Sequence, residues 1–326
     1  MSLSYNPSGY RNLLRMSHKK RLLLEGKEDK QFFKLFLYEF YHSENKKIFQ
    51  EISIDIAEII DFEEPVGNRK KVERICRSVK GASYSERLVG FVDREFREFA
   101  LGDIIQDNLS IHKIQDRLVW SRGHSIENYL FDFSILRNPL RDLSATDCFD
   151  EALELFEKII ESAIRTACAA SLAGKELEKL KLLQTSFNWK LLEVRNSQII
   201  LSLELWEQEL KKRNLPLEET HKIIDRYQYW SQKIETVDFH LAKWICHGHI
   251  GIAFIWATYS RCVYEVCVRN EVEKPETEVA GIQGIKESKR VNACASWWAR
   301  QARKNQCDYP LEVIQLLGLN VSDETS

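Results

Sequence analysis

The residues best suited to chemistry are acids placed where strands end. Glu25-Gly26-Lys27-Glu28-Asp29 follows the apolar run Arg21–Leu24, and Asp93-Arg94-Glu95 follows the apolar run Leu88–Val92. Two carboxylates one residue apart, where a strand breaks into its loop, can face the same side and hold a hard divalent cation through oxygen. Glu25, ending a neighbouring strand, would approach the same ion. Gly26 would allow a sharp turn, and the helix behind it would offer free N–H groups to a phosphate. Such a centre suits phosphodiester hydrolysis, because the cation polarises the phosphoryl group while a carboxylate moves a proton. Each acid taken alone reads more readily as a solvated turn residue. The pair at matched ends of two buried strands is what marks a site.

Glu127 lies in Gly123–Leu130 (GHSIENYL), just beyond the apolar run Arg117–Trp120. It could join the acids as a second ligand or orient a water at the ion. The other reading is a helix start, with Ser125 as N-cap. His124 could donate to a phosphate or make a structural hydrogen bond. Lys27, Arg94 and Arg122 could neutralise substrate phosphates, as could His18-Lys19-Lys20-Arg21 upstream, or form a solvated basic face. The basic segment Asn68–Lys80 could grip a nucleic-acid backbone, and Trp297-Trp298 could stack on bases or belong to a core. His247-Gly248-His249 does not read as a zinc site, since two His at i, i+2 cannot share a helix face and no companion ligands are spaced to complete four. Gly281–Lys286 (GIQGIK) lacks the spacing and ending of a phosphate-binding loop.

These residues need a frame. Arg21–Leu24, part of Phe49–Ile60, Leu88–Val92 and Arg117–Trp120 read as strands, with helices over Asp29–Tyr41 and Asn68–Val79. Strand and helix alternating, with acids at strand ends, implies parallel crossovers and an α/β domain, with chemistry beyond the carboxyl ends of the strands. After Pro139 the pattern becomes helical: Phe149–Leu172, Glu176–Leu183, Gln198–Lys212 and Glu218–Tyr229. The expected division is therefore a catalytic domain over 1–140 and a mainly α-helical domain over 141–326.

Composition narrows the class. Apolar residues at 44% and charged residues at 29% describe an ordinary globular chain. Forty-seven Lys and Arg against 49 Asp and Glu exclude binding to nucleic acid by bulk charge, so any such contact must be a local patch. The eight scattered cysteines form no C-x-x-C pair and read as reduced thiols. No export signal opens the chain and no apolar run spans a bilayer, so a cytoplasmic protein without membrane contact is expected. Ile250–Tyr259, the most apolar stretch, reads as a buried helix.

Leu22–Phe33 (LLLEGKEDKQFF) with Gly90–Phe96 (GFVDREF) resembles the Toprim catalytic domain of topoisomerases, bacterial primases and the overcoming-lysogenization-defect nucleases. Glu25 matches the motif glutamate and Asp93 the first aspartate; Glu95 stands where a second aspartate is usual. Ser125–Leu130 (SIENYL) looks like the DUF4435 branch, which includes the nuclease subunit of PARIS-type anti-phage systems. The resemblance implies a Toprim (Rossmann-like) parallel sheet followed by the helical domain, with catalytic residues Glu25, Asp93, Glu95 and Glu127. The first three would bind Mg2+, or Mn2+ in its place, and Lys27, Arg94, Arg122 and His124 would contact nucleic acid. It also implies an RNA-cleaving toxin with tRNA favoured, an ABC-type ATPase as partner, and a homodimer when active. A DNA nickase and a non-catalytic regulator of an ATPase are the alternatives.

Overall fold

The computed structural model describes residues 4–42, 48–144 and 146–319. In chain order the elements are α1 (Pro7–Met16), β1 (Lys20–Leu24), α2 (Lys27–His42), α3 (Ile48–Glu51), β2 (Ile52–Ile56), α4 (Asn68–Ser78), β3 (Leu88–Val92), β4 (Phe99–Leu101), β5 (Ile105–Asp107), β6 (Ile114–Gln115) and β7 (Leu118–Trp120). Then follow α5 (Phe133–Leu143), α6 (Phe149–Glu176), α7 (Leu180–Gln184), β8 (Leu192–Arg195), β9 (Gln198–Leu201), α8 (Leu203–Lys212), α9 (Leu217–Glu235), α10 (Phe239–Ile245), α11 (Gly248–Arg269), α12 (Pro275–Gln283), α13 (Glu287–Arg303) and α14 (Leu311–Leu316). Two compact units result: Met1–Glu98 with Asn108–Tyr129 and Ala295–Ser326, and Phe99–Asp107 with Leu130–Cys294.

The first unit is α/β. Its sheet runs β2-β1-β3-β7-β6, parallel except for the antiparallel β6–β7 pair. Leu22 sits opposite Ile54 on one side and Val89 on the other, so β1 is an interior strand. Leu22, Leu23 and Leu24 and all five residues of β3 are buried, as continuous apolar strands covered on both faces must be. Successive strand residues point to opposite faces. Phe91 meets Phe33 of α2 with ring centroids 4.8 Å apart, while Gly90 faces Val72 and Cys76 of α4. The two crossover helices therefore cover opposite faces.

On the α4 side, Val72, Ile75 and Cys76 recur at helical spacing and are buried. A Cβ on Gly90 would come within 2.5 Å of Cys76 Sγ and 3.0 Å of Val72 Cγ1 and Leu118 Cδ1, so only glycine lets the helix lie this close. On the α2 side, Phe36 stacks on Trp298 with centroids 4.6 Å apart, and the Trp298 indole N–H donates to the Asp308 carbonyl at 2.9 Å. Trp298 is fully buried and belongs to the core, not to a base-stacking surface.

The second unit is mainly helical, with α6 and α11 carrying long buried faces. Ile250–Tyr259 lies inside α11 and is buried almost throughout, as expected. The expected helix over Gln198–Lys212 is different: Gln198–Leu201 forms β9, antiparallel to β8, and the helix begins only at Leu203. Asn196 and Ser197 between the strands take φ of 50° and 59°, the doubly left-handed pair that closes a two-residue hairpin. A second hairpin, β4–β5, has no counterpart in the sequence reading. All eight cysteines are free thiols. Among the described residues, no helix is long and apolar enough to cross a membrane.

Candidate active site

Parallel strands β1, β3 and β7 are neighbours, so their carboxyl ends open on one edge of the sheet. Glu25 follows β1 directly, Asp93 follows β3, and the turn Ile126–Leu130 that carries Glu127 follows β7 after five residues. The Asp93 backbone N–H donates to Glu25 Oε1 at 2.8 Å, tying the first two strand ends together. Ser125 Oγ donates to Glu127 Oε2 at 2.5 Å, and the Ser125 N–H donates to Asn128 Oδ1 at 2.8 Å. Asn128 thus binds the turn backbone, and Glu127 is a buried acid held by the Ser125 hydroxyl.

The acids bear on one another. Burial, and then Asp29, Glu127 and Glu25, hold the Asp93 carboxyl well above the ordinary carboxylate range, against the pull of Arg69. Burial, and then Glu127 and Glu25, push Asp29 up to about 7. Burial raises Glu25 as well, opposed by Arg69 and by the Asp93 N–H. Asp93 Oδ1 is buried and has no hydrogen-bond partner among the described residues. Carboxylate oxygens of Glu28 and Glu127 lie within 4.8 Å of each other.

Four buried or half-buried carboxylates follow three neighbouring strand ends; burial and the charge of the other acids raise Asp93 and Asp29, and Asp93 keeps an unpartnered oxygen. That is the chemistry a hard divalent cation relieves. Carboxylate oxygens and the unpartnered Asp93 Oδ1 are the type of donor such an ion takes.

The remaining candidates separate. The chain passes through a left-handed conformation at Glu95 (φ 54°), whose N–H donates to the His124 carbonyl at 2.6 Å. Its carboxylate pairs with Arg69 Nη1 at 2.5 Å, and Glu95 is not among the acids that bear most on Asp93. Arg94 is fully buried and does not face outward to a phosphate. Its guanidinium donates to the carbonyls of Arg97 (2.8 Å), Arg122 (2.9 Å) and Glu98 (2.8 Å). Lys27 is exposed and pairs with Glu58 at 3.2 Å. His124 is buried, its ring edge-on to Phe96 with centroids 4.5 Å apart. Arg122 is half-buried, and its N–H donates to Tyr129 Oη at 3.0 Å. The Tyr129 hydroxyl also meets His112 Nε2, whose Nδ1 lies 2.9 Å from Glu312 Oε2.

Sequence reasoning did not single out Asp29 or Arg69. Asp29 Oδ2 accepts the Gly26 N–H at 3.0 Å, and the Gly26 carbonyl accepts from the Lys30 N–H. Gly26 is thus the N-cap of α2 and Asp29 its third helical residue, half of a capping box. An acid three positions after the glycine was the available signal. Gly26 itself uses no left-handed conformation, so the expected sharp glycine turn is instead an ordinary helix start. Arg69, in the first turn of α4, also donates to the Asp93 carbonyl and lies 3.7 Å from Glu25 Oε1.

No protein-family model matches the chain, and no curated protein sequence matches it.

Proposed function

We propose that the protein is a metal-dependent endonuclease that cleaves phosphodiester bonds at the centre formed by Glu25, Asp29, Asp93 and Glu127. The observation that carries this reading is Asp93, which keeps a buried oxygen unpartnered while three further carboxylates press on it. Such an arrangement is relieved by protons on the acids or, where the acids are ionised, by a cation among them. Magnesium, or manganese in its place, would be held by these four residues, and when bound it polarises a phosphoryl group and stabilises the leaving oxygen.

The chain's own residues orient the centre. Glu25 accepts the Asp93 N–H and so anchors the backbone from which the Asp93 carboxyl projects. The Ser125 hydroxyl donates to Glu127 and holds its carboxylate directly. Arg69 supplies positive charge at the rim and holds Glu95.

The sequence resemblance to Toprim domains of the DUF4435 branch supports RNA, and tRNA in particular, as substrate. It also supports a cytoplasmic anti-phage toxin held by an ABC-type ATPase partner and active as a homodimer. The test is incubation with total tRNA and with supercoiled plasmid, each with magnesium and with EDTA. Magnesium-dependent tRNA cleavage that disappears in Glu25→Ala supports the reading. Plasmid nicking alone replaces RNA by DNA. No cleavage of either, with no magnesium or manganese binding by calorimetry, overturns it in favour of a non-catalytic regulatory module.

A further inference from the structure

We infer that the solvent face of α4, formed by Lys70, Arg74 and Arg77, is the track that takes the phosphate backbone of the nucleic-acid substrate. The inference rests on the endonuclease reading and names the surface that reading lacks, since Arg94 is buried and Lys27 is paired with Glu58.

Three observations carry it. Positions 70, 74 and 77 follow the i, i+4, i+7 spacing of one helix face, and all three side chains are exposed. Among the described residues none of the three has a carboxylate partner. The one acid of the helix, Glu73, is half-buried and bound to Arg97 at 3.1 Å. The helix also starts at the centre. As the crossover between parallel strands β2 and β3, α4 begins on the edge where Glu25 and Asp93 emerge, and Arg69 in its first turn touches both loops. From there the stripe runs down the flank of the sheet. Lys70 to Arg77 spans about 10 Å at 1.5 Å per residue, a length over which a nucleic-acid strand presents more than one phosphate.

Helix α2, on the opposite face, is the built-in comparison. It also starts at the centre and exposes Lys30 and Lys34, but Lys27–His42 carries as many acids as Lys and Arg, three of each. Asn68–Ser78 carries five cations and one acid. A polyanion is complementary to α4 and not to α2.

The experiment compares two variants of equal charge, Arg74→Gln/Arg77→Gln and Lys30→Gln/Lys34→Gln. Binding of fluorescent tRNA and of a DNA oligonucleotide is followed by anisotropy in EDTA over a range of salt, and cleavage is measured separately with magnesium. The α4 variant is expected to weaken binding several-fold. It should reduce the slope of log K against log salt by about 1.4 to 1.8, some 0.7–0.9 for each lost phosphate contact. It should raise KM and leave kcat unchanged. The α2 variant should match the parent in slope. Equal loss in both variants, or no loss in the α4 variant, overturns the track. Because binding is read without chemistry, tight tRNA binding without cleavage counts against the endonuclease reading and not against the surface.

Discussion

The backbone amide of Asp93 is bound by the side chain of Glu25, N to Oε1 at 2.8 Å, so one acid of the centre positions another. The bond crosses from the end of β1 to the end of its neighbour β3, and it is made by a carboxyl that burial holds above its ordinary range. Glu25 therefore has a structural duty that an amide can perform and an ionic duty that an amide cannot.

Glu25→Gln is accordingly expected to abolish magnesium-dependent cleavage while raising the melting temperature of the metal-free protein by a few degrees. About 1 kcal/mol of relieved repulsion corresponds to roughly 2–4 °C in a domain of this size. Glu25→Ala, which also removes the acceptor for the Asp93 N–H, should be less stable than Glu25→Gln. Thermal melts of the two variants in EDTA check the order.

Asp29 dictates a pH dependence. Its carboxyl is pushed up to about 7 in the folded chain, whereas an unfolded aspartate titrates near 4. Between those values the folded state holds the extra proton, so stability falls as pH rises and levels off above about 7. Asp29→Asn should flatten this decline, as read from denaturant midpoints at pH 5 and pH 8 in EDTA.

Divalent cations should act in the opposite sense. A ligand ion competes with protons for the carboxylates, so magnesium or manganese should raise the melting temperature more at pH 8 than at pH 5.5. Asp93→Asn should lose that response. Equal stabilisation of parent and variant by the ion would count against the centre.

Arg94 is expected to matter for the fold and not for substrate affinity. Arg94→Met removes three guanidinium hydrogen bonds from the carbonyls of Arg97, Arg122 and Glu98, and a loss of about 3 kcal/mol is expected. Lys27→Ala should leave the denaturant midpoint unmoved, since that side chain is 76% exposed in a surface pair. Urea titrations of both variants provide the contrast.

The central strands and their acidic ends were legible because buried parallel strands are apolar without interruption, and the acid that stops the run stands out. Glu25 and Asp93 could thus be named from the chain, and Glu127 from the segment beyond the next apolar run. Arg94 could not be read correctly, since nothing local distinguishes a buried arginine that binds carbonyls from an exposed one that binds phosphate. Asp29 was hidden by its capping position, where an acid is ordinary. The pairing of Glu95 with Arg69 depends on a contact 26 positions apart in the chain and on a left-handed turn at a non-glycine residue. Gln198–Leu201 was lost to helix because four residues of mixed polarity fit either period, and the deciding turn at Asn196-Ser197 lies just outside them.

Gly90 sets a clearance on which the far end of α4 depends. With no side chain at that position, the helix rests against the strand at backbone distance, and the reach of an arginine suffices to bridge from its first turn to the loops beyond Leu24 and Val92. A methyl group there would act as a wedge. It would lift the helix, draw Arg69 away from the carboxyl groups it partly neutralises, and so change the charge balance of the centre without altering one of its acids.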